Sequence, residues 1–326
     1  MRTVTVSTPG KLMLFGEHAV VYDRPCLVTA VDQRMRVTIE LTEEKVLMLD
    51  APDVHVSGFV KPMDALGTGE TPKGAQFVEV AIKNFLTKHP FSGGLKVSTA
   101  SDFSSLFGFG SSSASTACVV KALAELSGKK MSQKQLFDIS YKTVLDIQGK
   151  GSGFDVAAAI YGGTLYFVTG GKIIEPLKVK DMPLVIGYTG VKADTVTLMR
   201  EVGEKMKAHP ERVNRIYDAI AKLVEDAKGK MAEGDWERVG KLMDFNQEYL
   251  RDLGVSSEKL EALISTAKSA GAWGAKLSGA GGGDCMIALH PDGASGKRRI
   301  EDAITKVGGQ VIHPDLIGAQ GARVEA

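Results

Sequence analysis

The hydrophobic pattern of the first part of the chain predicts β-strands. Apolar residues there alternate with polar ones or form short runs bounded by turn residues, as is typical of strands. The predicted strands cover residues 4–6, 12–15, 27–31, 35–41 and 46–49. Between Phe77 and Phe85 the apolar spacing changes to about 3.6 residues, which predicts a helix that Pro90 ends.

The next stretch mixes strands and helices, each marked by local signals. Leu95–Ser98 and Thr164–Val168 are predicted as strands. A helix is expected after the Gly/Ser segment that follows the first of them, and Gly128 is placed to end it in a left-handed conformation. Ser132 and Gln135 form a capping-box pattern at the start of another helix, and a short Ala-rich helix comes after that.

Helices dominate beyond residue 180. After a strand at Leu184–Gly187, they are expected at about 195–208, 211–231, 237–253, 257–269 and 297–307, with further strands around a Gly-rich segment near residue 280. The pattern predicts an α+β protein with a strand-rich half over residues 1–180 and a helical half with its own small sheet over residues 181–326.

Composition and charge exclude several classes of protein. Hydrophobic residues make up 44% of the 326 residues and charged residues 24%, close to globular averages, which argues against long disordered segments. Forty Lys and Arg against thirty-nine Asp and Glu give a net charge of +1, so no nucleic-acid partner is expected. No apolar run reaches the roughly 20 residues that span a bilayer, so no membrane partner is expected either. Cys26, Cys118 and Cys285 are widely spaced, as in a reducing compartment, and a cytoplasmic location is expected.

Three glycine-rich segments occur in the chain, and the middle one has the clearest chemistry. Gly108–Ala114 reads GFGSSSA and directly precedes a predicted helix. Glycines let the backbone approach a ligand closely, and the free N–H groups and dipole of a helix N-terminus favour phosphate. Serine hydroxyls can donate to phosphate oxygens or bind Mg²⁺. The alternative is that Ser111–Ser113 only cap the helix.

Several well-known catalytic and phosphate-binding motifs are absent from the sequence. The third glycine position of GxGxxG is occupied by Ser113, and GxxxxGK[ST] does not occur, which excludes a P-loop enzyme. The HRD and DFG motifs of protein kinases, HExxH and GxSxG are also missing.

Three segments together make the chain similar to the GHMP small-molecule kinases. They are PGKLMLFGEHAVVY at Pro9–Tyr22, GFGSSSAS at Gly108–Ser115 and KLSGAGGGDCMIAL at Lys276–Leu289. The resemblance covers nearly the whole chain. It implies the GHMP kinase fold, in which a ribosomal-protein-S5-like N-terminal half binds ATP and carries the catalytic residues, and a ferredoxin-like helical C-terminal half completes the molecule. It further implies ATP and Mg²⁺ as cofactors, with ATP lying between the halves, and phosphoryl transfer to a substrate hydroxyl.

The resemblance also implies roles for individual residues. Asp155 corresponds to the catalytic aspartate, although on local sequence it could equally cap the helix behind it. Lys11 is expected to stabilise the transferring group and keep Asp155 ionised, and Ser112 is expected to bind Mg²⁺. The expected substrate contacts are Glu17, His18, Ser152 and Thr189. The expected ATP and phosphate contacts are Gly108, Gly110, Ser111, Ser112, Ser113, Ala114, Gly279, Gly281, Gly282 and Gly283.

Different segments resemble different branches of the family. The GEHAVVY run resembles mevalonate kinases and implies a small hydroxy acid as substrate; it has the greater weight because this segment is expected to touch the acceptor. The GSGFD loop, the triple serine and Asp284 resemble phosphomevalonate kinases. Val144 stands eleven positions before Asp155, where mevalonate kinases usually carry a glutamate that binds Mg²⁺, and Asp146 is a nearby candidate to replace it.

Phosphorylation of mevalonate is the favoured function at this stage. The alternatives are phosphorylation of 5-phosphomevalonate, another sugar or polyol kinase, and a family member that binds ligand without turnover. A phosphorylated acceptor needs further cations, for which Lys150, Lys192 and Arg200 are candidates. The apolar positions Ile216, Ile220 and Leu223 are expected to pack on the small sheet, with a homodimer surface as the other option.

Overall fold

A large, mainly antiparallel sheet forms the base of the first half. The structure is a computed structural model that describes residues 2–291, 293–314 and 317–325. The first seven strands are β1 Thr3–Phe15, β2 Pro25–Thr42, β3 Val46–Ala51, β4 Val56–Pro62, β5 Gly94–Ser101, β6 Thr164–Val168 and β7 Ile173–Leu177. Only the pair formed by β3 and β5 is parallel among them. The two strands predicted over 27–31 and 35–41 form one strand, because Asp32 and Gln33 interrupt the pairing with β1 without ending it.

Four helices lie on this sheet and position the Gly/Ser segment. They are α1 Gln76–Lys88, α2 Ser111–Leu126, α3 Gln133–Gln148 and α4 Phe154–Tyr161. The helices α2 and α4 pack on β1 and β2, and α1 and α3 pack against α2. The predicted capping box of α3 is confirmed, since the side chains of Ser132 and Gln135 each accept a hydrogen bond from the other residue's N–H. Gly128 follows α2 with φ +67°, as predicted.

The second half is a four-stranded antiparallel sheet covered by helices. Its strands are β8 Leu184–Tyr188, β9 Gly274–Ser278, β10 Cys285–Leu289 and β11 Gln310–Ile312. Its helices are α5 Thr195–Ala208, α6 Pro210–Glu233, α7 Trp236–Leu253, α8 Glu258–Ser269 and α9 Ala294–Lys306. Ile216 and Ile220 on α6 are buried in one hydrophobic core with Leu277 of β9, as predicted, whereas Leu223 is only partly buried and packs against the larger core, which lies mainly in the first half. Within the described residues, no helix combines the length and apolarity needed to cross a membrane.

The C-terminal tail returns to the first half. A last short strand, β12 at Arg323–Val324, pairs antiparallel with β1. The buried guanidinium of Arg34 holds the tail by donating hydrogen bonds to the carbonyls of Gln320 and Gly321, each at 2.8 Å. The tail therefore belongs structurally with the first half, which corrects the predicted division at 181–326. Sequence spacing could not reveal this, because the contact depends on a buried arginine from a distant strand.

Candidate active site

A cavity of about 320 Å³ lies between the two halves of the structure. Its walls come from β1, the N-terminus of α2, the loop between α3 and α4, and parts of the second half near residues 192–195 and 279–284. The predicted motifs around Lys11, Gly108, Asp155 and Gly279 therefore meet in one space.

The N-terminus of α2 opens into this cavity without a side-chain cap. Gly110 precedes the helix in a left-handed conformation with φ +78°, and no side chain caps the first turn. Ser111 and Ser112 line the cavity, and their hydroxyls donate to no protein atom within the described part of the chain. The alternative that the serines only cap the helix is therefore wrong. The first-turn N–H groups and two hydroxyls are left to bind an anion.

Both the backbone conformation and the neighbouring side chain require a glycine at position 108. Its φ is +70°, and a Cβ atom at this position would lie 2.5 Å from Asp284 Oδ2. Any larger residue would have to displace that carboxylate from the cavity wall.

Lys11 reaches the same point from β1. Its side chain is buried, and Nζ donates a hydrogen bond of 2.7 Å to the Gly108 carbonyl. The Lys11 N–H also donates to the Phe109 carbonyl at 3.1 Å. Nζ lies 5.4 Å from the centroid of the Phe154 ring, a distance that allows a cation–π interaction. The ammonium is thus fixed beneath the loop that leads into α2.

Asp155 faces Lys11 across the start of α2. It is the second residue of α4, whose N-cap is Gly153, so Asp155 does not occupy the N-cap position. Its Oδ1 accepts a hydrogen bond from the Val156 N–H at 3.0 Å. A Cβ atom on Gly110 would lie 3.3 Å from Lys11 Cε and 3.5 Å from Asp155 Cβ. The lysine and the carboxylate therefore flank the glycine at the end of the cavity next to the start of α2.

His18 lines the cavity and has one ring nitrogen without a described partner. Its ring lies in hydrogen-bond contact with the Ala280 carbonyl, to which Nε2–H donates at 2.8 Å, and its Nδ1 is buried without a partner among the described residues. Burial lowers the pKa of His18, which favours the neutral ring. A neutral ring that donates from Nε2 keeps a lone pair on Nδ1, but this atom is buried away from solvent. Ser152 also lines this part of the cavity.

Glu17 lies outside the cavity, which differs from the predicted direct contact with substrate. Its side chain is fully buried and forms an ion pair with Lys276 of β9, which is equally buried. Burial raises the pKa of Glu17 and lowers the pKa of Lys276, and the attraction between them opposes both shifts. The pair connects the residue before His18 to the second half, so Glu17 supports the cavity wall from behind.

The third glycine-rich segment contributes less to the cavity than predicted. Gly279 and Ala280 line it, whereas Gly281, Gly282 and Gly283 do not. The Gly282 N–H donates to the Val255 carbonyl at 2.7 Å, and a Cβ atom on Gly281 would lie 2.1 Å from the same oxygen. These glycines allow two backbone segments to pack closely, so their predicted contact with phosphate is corrected.

Three other predicted contacts also lie behind the cavity surface. The Thr189 hydroxyl is occupied by the backbone of Val191, donating to its carbonyl at 3.1 Å and accepting from its N–H at 3.2 Å. Ser113 and Ala114 are buried inside α2, so their side chains cannot touch a ligand in the cavity. Ser113 can contribute only through its first-turn N–H.

The carboxylates of the cavity are Asp155 and Asp284. Val144, at the position where a glutamate was expected, lines the wall with an apolar side chain. Asp146 does not replace it, because its oxygens accept hydrogen bonds from Lys142 and Asn84 outside the cavity. Asp284 Oδ1 accepts from the Ala193 N–H at 2.9 Å, and burial raises the pKa of Asp284.

A second, more apolar cavity of about 470 Å³ adjoins the first. The two share four wall residues, namely Ser105, Ser111, Ser112 and Lys192. The remaining wall of the second cavity is largely apolar and includes Met35, Ala51, Val54, Phe77, Val78 and Leu106. An elongated ligand with an apolar planar end and a charged middle would fit across both cavities at the start of α2.

Comparison with known proteins assigns the family. The profile of the GHMP kinases N terminal domain matches residues 76–163, and that of the GHMP kinases C terminal domain matches residues 219–309. A mevalonate kinase of Pyrococcus furiosus is 34% identical over 334 residues, covering 99% of this chain and 98% of that protein. The chain belongs to the GHMP kinase family. A mevalonate kinase of Saccharolobus solfataricus is 29% identical to this GHMP kinase, and the match covers 88% of this chain and 90% of the relative.

Solved structures agree with the GHMP kinase fold. The Methanococcus jannaschii mevalonate kinase superposes with a TM-score of 0.81 at 27% identity, covering 95% of this chain and 97% of that one. A Streptococcus pneumoniae phosphomevalonate kinase, in complex with phosphomevalonate and AMPPNP, gives 0.80 at 18% identity and full coverage of both chains. At that identity the second likeness supports the fold alone.

Sequence reasoning missed part of this GHMP kinase site. Lys150 and Lys192 were only two of several candidate cations, and the structure places both at the first cavity, whereas Arg200 does not line it. Asp284 was noticed as a branch marker, and its position directly after a glycine run was the available signal. Ser105, in the loop before α2, carried no signal in the sequence.

Proposed function

We propose that this GHMP kinase transfers the γ-phosphoryl group of ATP to the 5-hydroxyl of mevalonate. The observation that carries the proposal is the meeting of Lys11 and Asp155 at Gly110, beside the uncapped N-terminus of α2. An ammonium, a carboxylate and an anion-binding helix end are the groups that transfer of a phosphoryl group to a hydroxyl requires. Relatives that match the chain over its full length carry the name mevalonate kinase, which supports this acceptor.

The nucleotide is assigned to the second cavity and the start of α2. The apolar wall with Phe77 and Val78 suits an adenine ring, and the first turn of α2 suits the phosphates. The cavities join at Ser111 and Ser112, so the γ-phosphate would arrive next to Lys11 and Asp155.

The polar groups at this junction fit Mg²⁺ bound together with a nucleotide. No group of three or more His, Cys, Asp or Glu side chains able to hold a metal occurs in the described ranges. The cavity instead offers the carboxylate of Asp284 and the hydroxyl of Ser112. Mg²⁺ in such sites takes one or two carboxylates and completes its shell with phosphate oxygens and water. When bound, it would neutralise charge on the phosphates.

The remaining steps of the reaction follow from the side chains. Asp155 accepts the proton of the substrate hydroxyl while that oxygen forms a bond to the γ-phosphorus and the bond to the ADP oxygen breaks. Lys11 stabilises negative charge on the transferring group. His18 lines the same cavity and contacts the acceptor there, which helps to orient the chain of the substrate.

The second candidate function is phosphorylation of 5-phosphomevalonate. Lys150 and Lys192 both line the cavity in addition to Lys11, and extra cations could hold the phosphate that this acceptor carries.

The choice between mevalonate and 5-phosphomevalonate is tested by measuring ADP release from Mg-ATP with each acceptor separately. We expect turnover with mevalonate and at most a trace with 5-phosphomevalonate. Turnover with 5-phosphomevalonate alone would replace the first proposal by the second. ATP binding with no turnover on either acceptor would contradict both.

Substitution of Lys11 by methionine is expected to reduce kcat by about 10²–10³-fold, the usual cost of removing one group that stabilises developing charge. The methionine keeps most of the side-chain volume on β1 while removing the ammonium at Gly108. Steady-state kinetics would measure the loss. Lys121→Met is the control, because Lys121 lies on α2 and pairs with Glu125 outside the cavity. Unchanged kcat in Lys11→Met would remove Lys11 from the mechanism.

A further inference from the structure

Lys150 presents an uncompensated positive charge to the first cavity. It lies in the loop between α3 and α4, and its side chain lines the cavity while remaining exposed. Among the described residues no carboxylate lies within 4 Å of its ammonium, whereas many other surface lysines, such as Lys142 and Lys172, have such a partner. An ammonium facing a cavity without a counter-ion is available for an anionic ligand.

An aromatic platform fixes the position of this ammonium. Lys150 Nζ lies 4.3 Å from the centroid of the Tyr22 ring, within the range of a cation–π interaction. Tyr22 in turn stacks on the fully buried Tyr217 of α6, with ring centroids 5.0 Å apart. Arg24 also holds this segment, since it donates to the Tyr22 carbonyl at 2.7 Å and pairs with Asp218 at 3.0 Å. The platform restrains the lysine without neutralising its charge.

The other two lysines of the cavity have different surroundings. Lys11 donates to Gly108 beside the start of α2, where the phosphoryl group would be transferred. Lys192 lines both cavities and so lies where the nucleotide would cross from one to the other. Lys150 lines the first cavity alone and, unlike Lys11, donates no hydrogen bond to the protein within the described residues.

We propose that Lys150 is a specificity-determining residue that binds the carboxylate of the acceptor. This rests on the proposed function, in which the acceptor is a hydroxy acid whose reacting hydroxyl lies at Asp155. With the hydroxyl at Asp155 and the carboxylate at Lys150, the substrate is held at two points. Acceptors of similar length that lack the negative charge would then be selected against.

The test compares Lys150→Met with wild type on two acceptors. One is mevalonate, and the other is 3-methylpentane-1,3,5-triol, in which a neutral hydroxymethyl group replaces the carboxylate. We expect Lys150→Met to raise KM for mevalonate about tenfold to a hundredfold, as for loss of a charge-assisted hydrogen bond. KM for ATP should not change, and the preference for mevalonate over the triol should fall by the same factor as KM rises. Lys150→Arg should retain most of the preference.

Two further variants make the result decisive. Lys172→Met removes a lysine that pairs with Asp23 outside the cavity, and it should behave as wild type on both acceptors. Loss of the preference in Lys192→Met with none in Lys150→Met would overturn the assignment. An equal loss on both acceptors in Lys150→Met would also overturn it, because the lysine would then act only on structure. These outcomes leave the proposed function standing, whereas failure of the wild type to use mevalonate would refute the function itself.

Discussion

Replacement of Asp155 by asparagine is expected to reduce kcat by about 10²–10⁴-fold, the range that a general base contributes. The substitution keeps the shape of the side chain, and the amide oxygen can still accept the hydrogen bond from the Val156 N–H. What it removes is the group that takes the proton of the hydroxyl. The start of α2 is unaltered, so nucleotide affinity should stay within about twofold of wild type.

Single-turnover experiments with mevalonate and ATP would measure the chemical step, and fluorescence titration would measure nucleotide binding. Asp146→Asn is the matched control, because Asp146 lies nearby in sequence but its oxygens are bound by Lys142 and Asn84 outside the cavity. It should keep wild-type kcat. If Asp155→Asn retained more than a tenth of wild-type kcat, the base would have to be sought elsewhere, and Asp284→Asn would be the next variant to measure.

Local signals in the sequence were sufficient to predict many of the elements. The helix predicted over 195–208 and the strand predicted over Thr164–Val168 agree with α5 and β6 at both ends. The cap of α5 explains the first case, since Asp194 accepts a hydrogen bond from the Thr197 N–H at 3.1 Å. Such caps act over a few residues, so they can be recognised without knowledge of the fold.

Positions that depend on packing between distant segments were predicted less well. Glycines look alike in sequence whether they approach a ligand or another backbone, and Gly281–Gly283 belong to the second kind. Thr189 and Glu17 likewise belong to motifs that reach the cavity, although their own side chains bind protein groups. Which lysine faces the cavity depends on how the two halves meet, so Lys150 could be named from the sequence but not located.

The buried ion pair between Glu17 and Lys276 predicts a large effect on stability. Lys276→Met should reduce the free energy of unfolding by about 3–5 kcal/mol, because it leaves the Glu17 carboxylate buried without its cation. The other carboxylate oxygen already has no described partner. Lys268→Met is the control, since Lys268 pairs with Asp244 near the surface, and it should cost less than about 1 kcal/mol.

Urea unfolding of the double variant Glu17→Gln/Lys276→Met separates the electrostatic contribution of the ion pair from the packing contribution of the two side chains. We expect the double variant to be more stable than Lys276→Met alone, because a neutral amide costs less to bury than an unpaired charge. The penalty of Lys276→Met should also shrink as pH is lowered from 8 towards 5. Burial without the lysine raises the pKa of Glu17 in the folded state above its unfolded value, so the folded protein binds a proton more readily and gains stability at lower pH. Two results would contradict this prediction: a loss of stability in Lys276→Met that does not change with pH, and a double variant no more stable than Lys276→Met. Together they would show that Lys276 stabilises the protein by packing rather than by its charge.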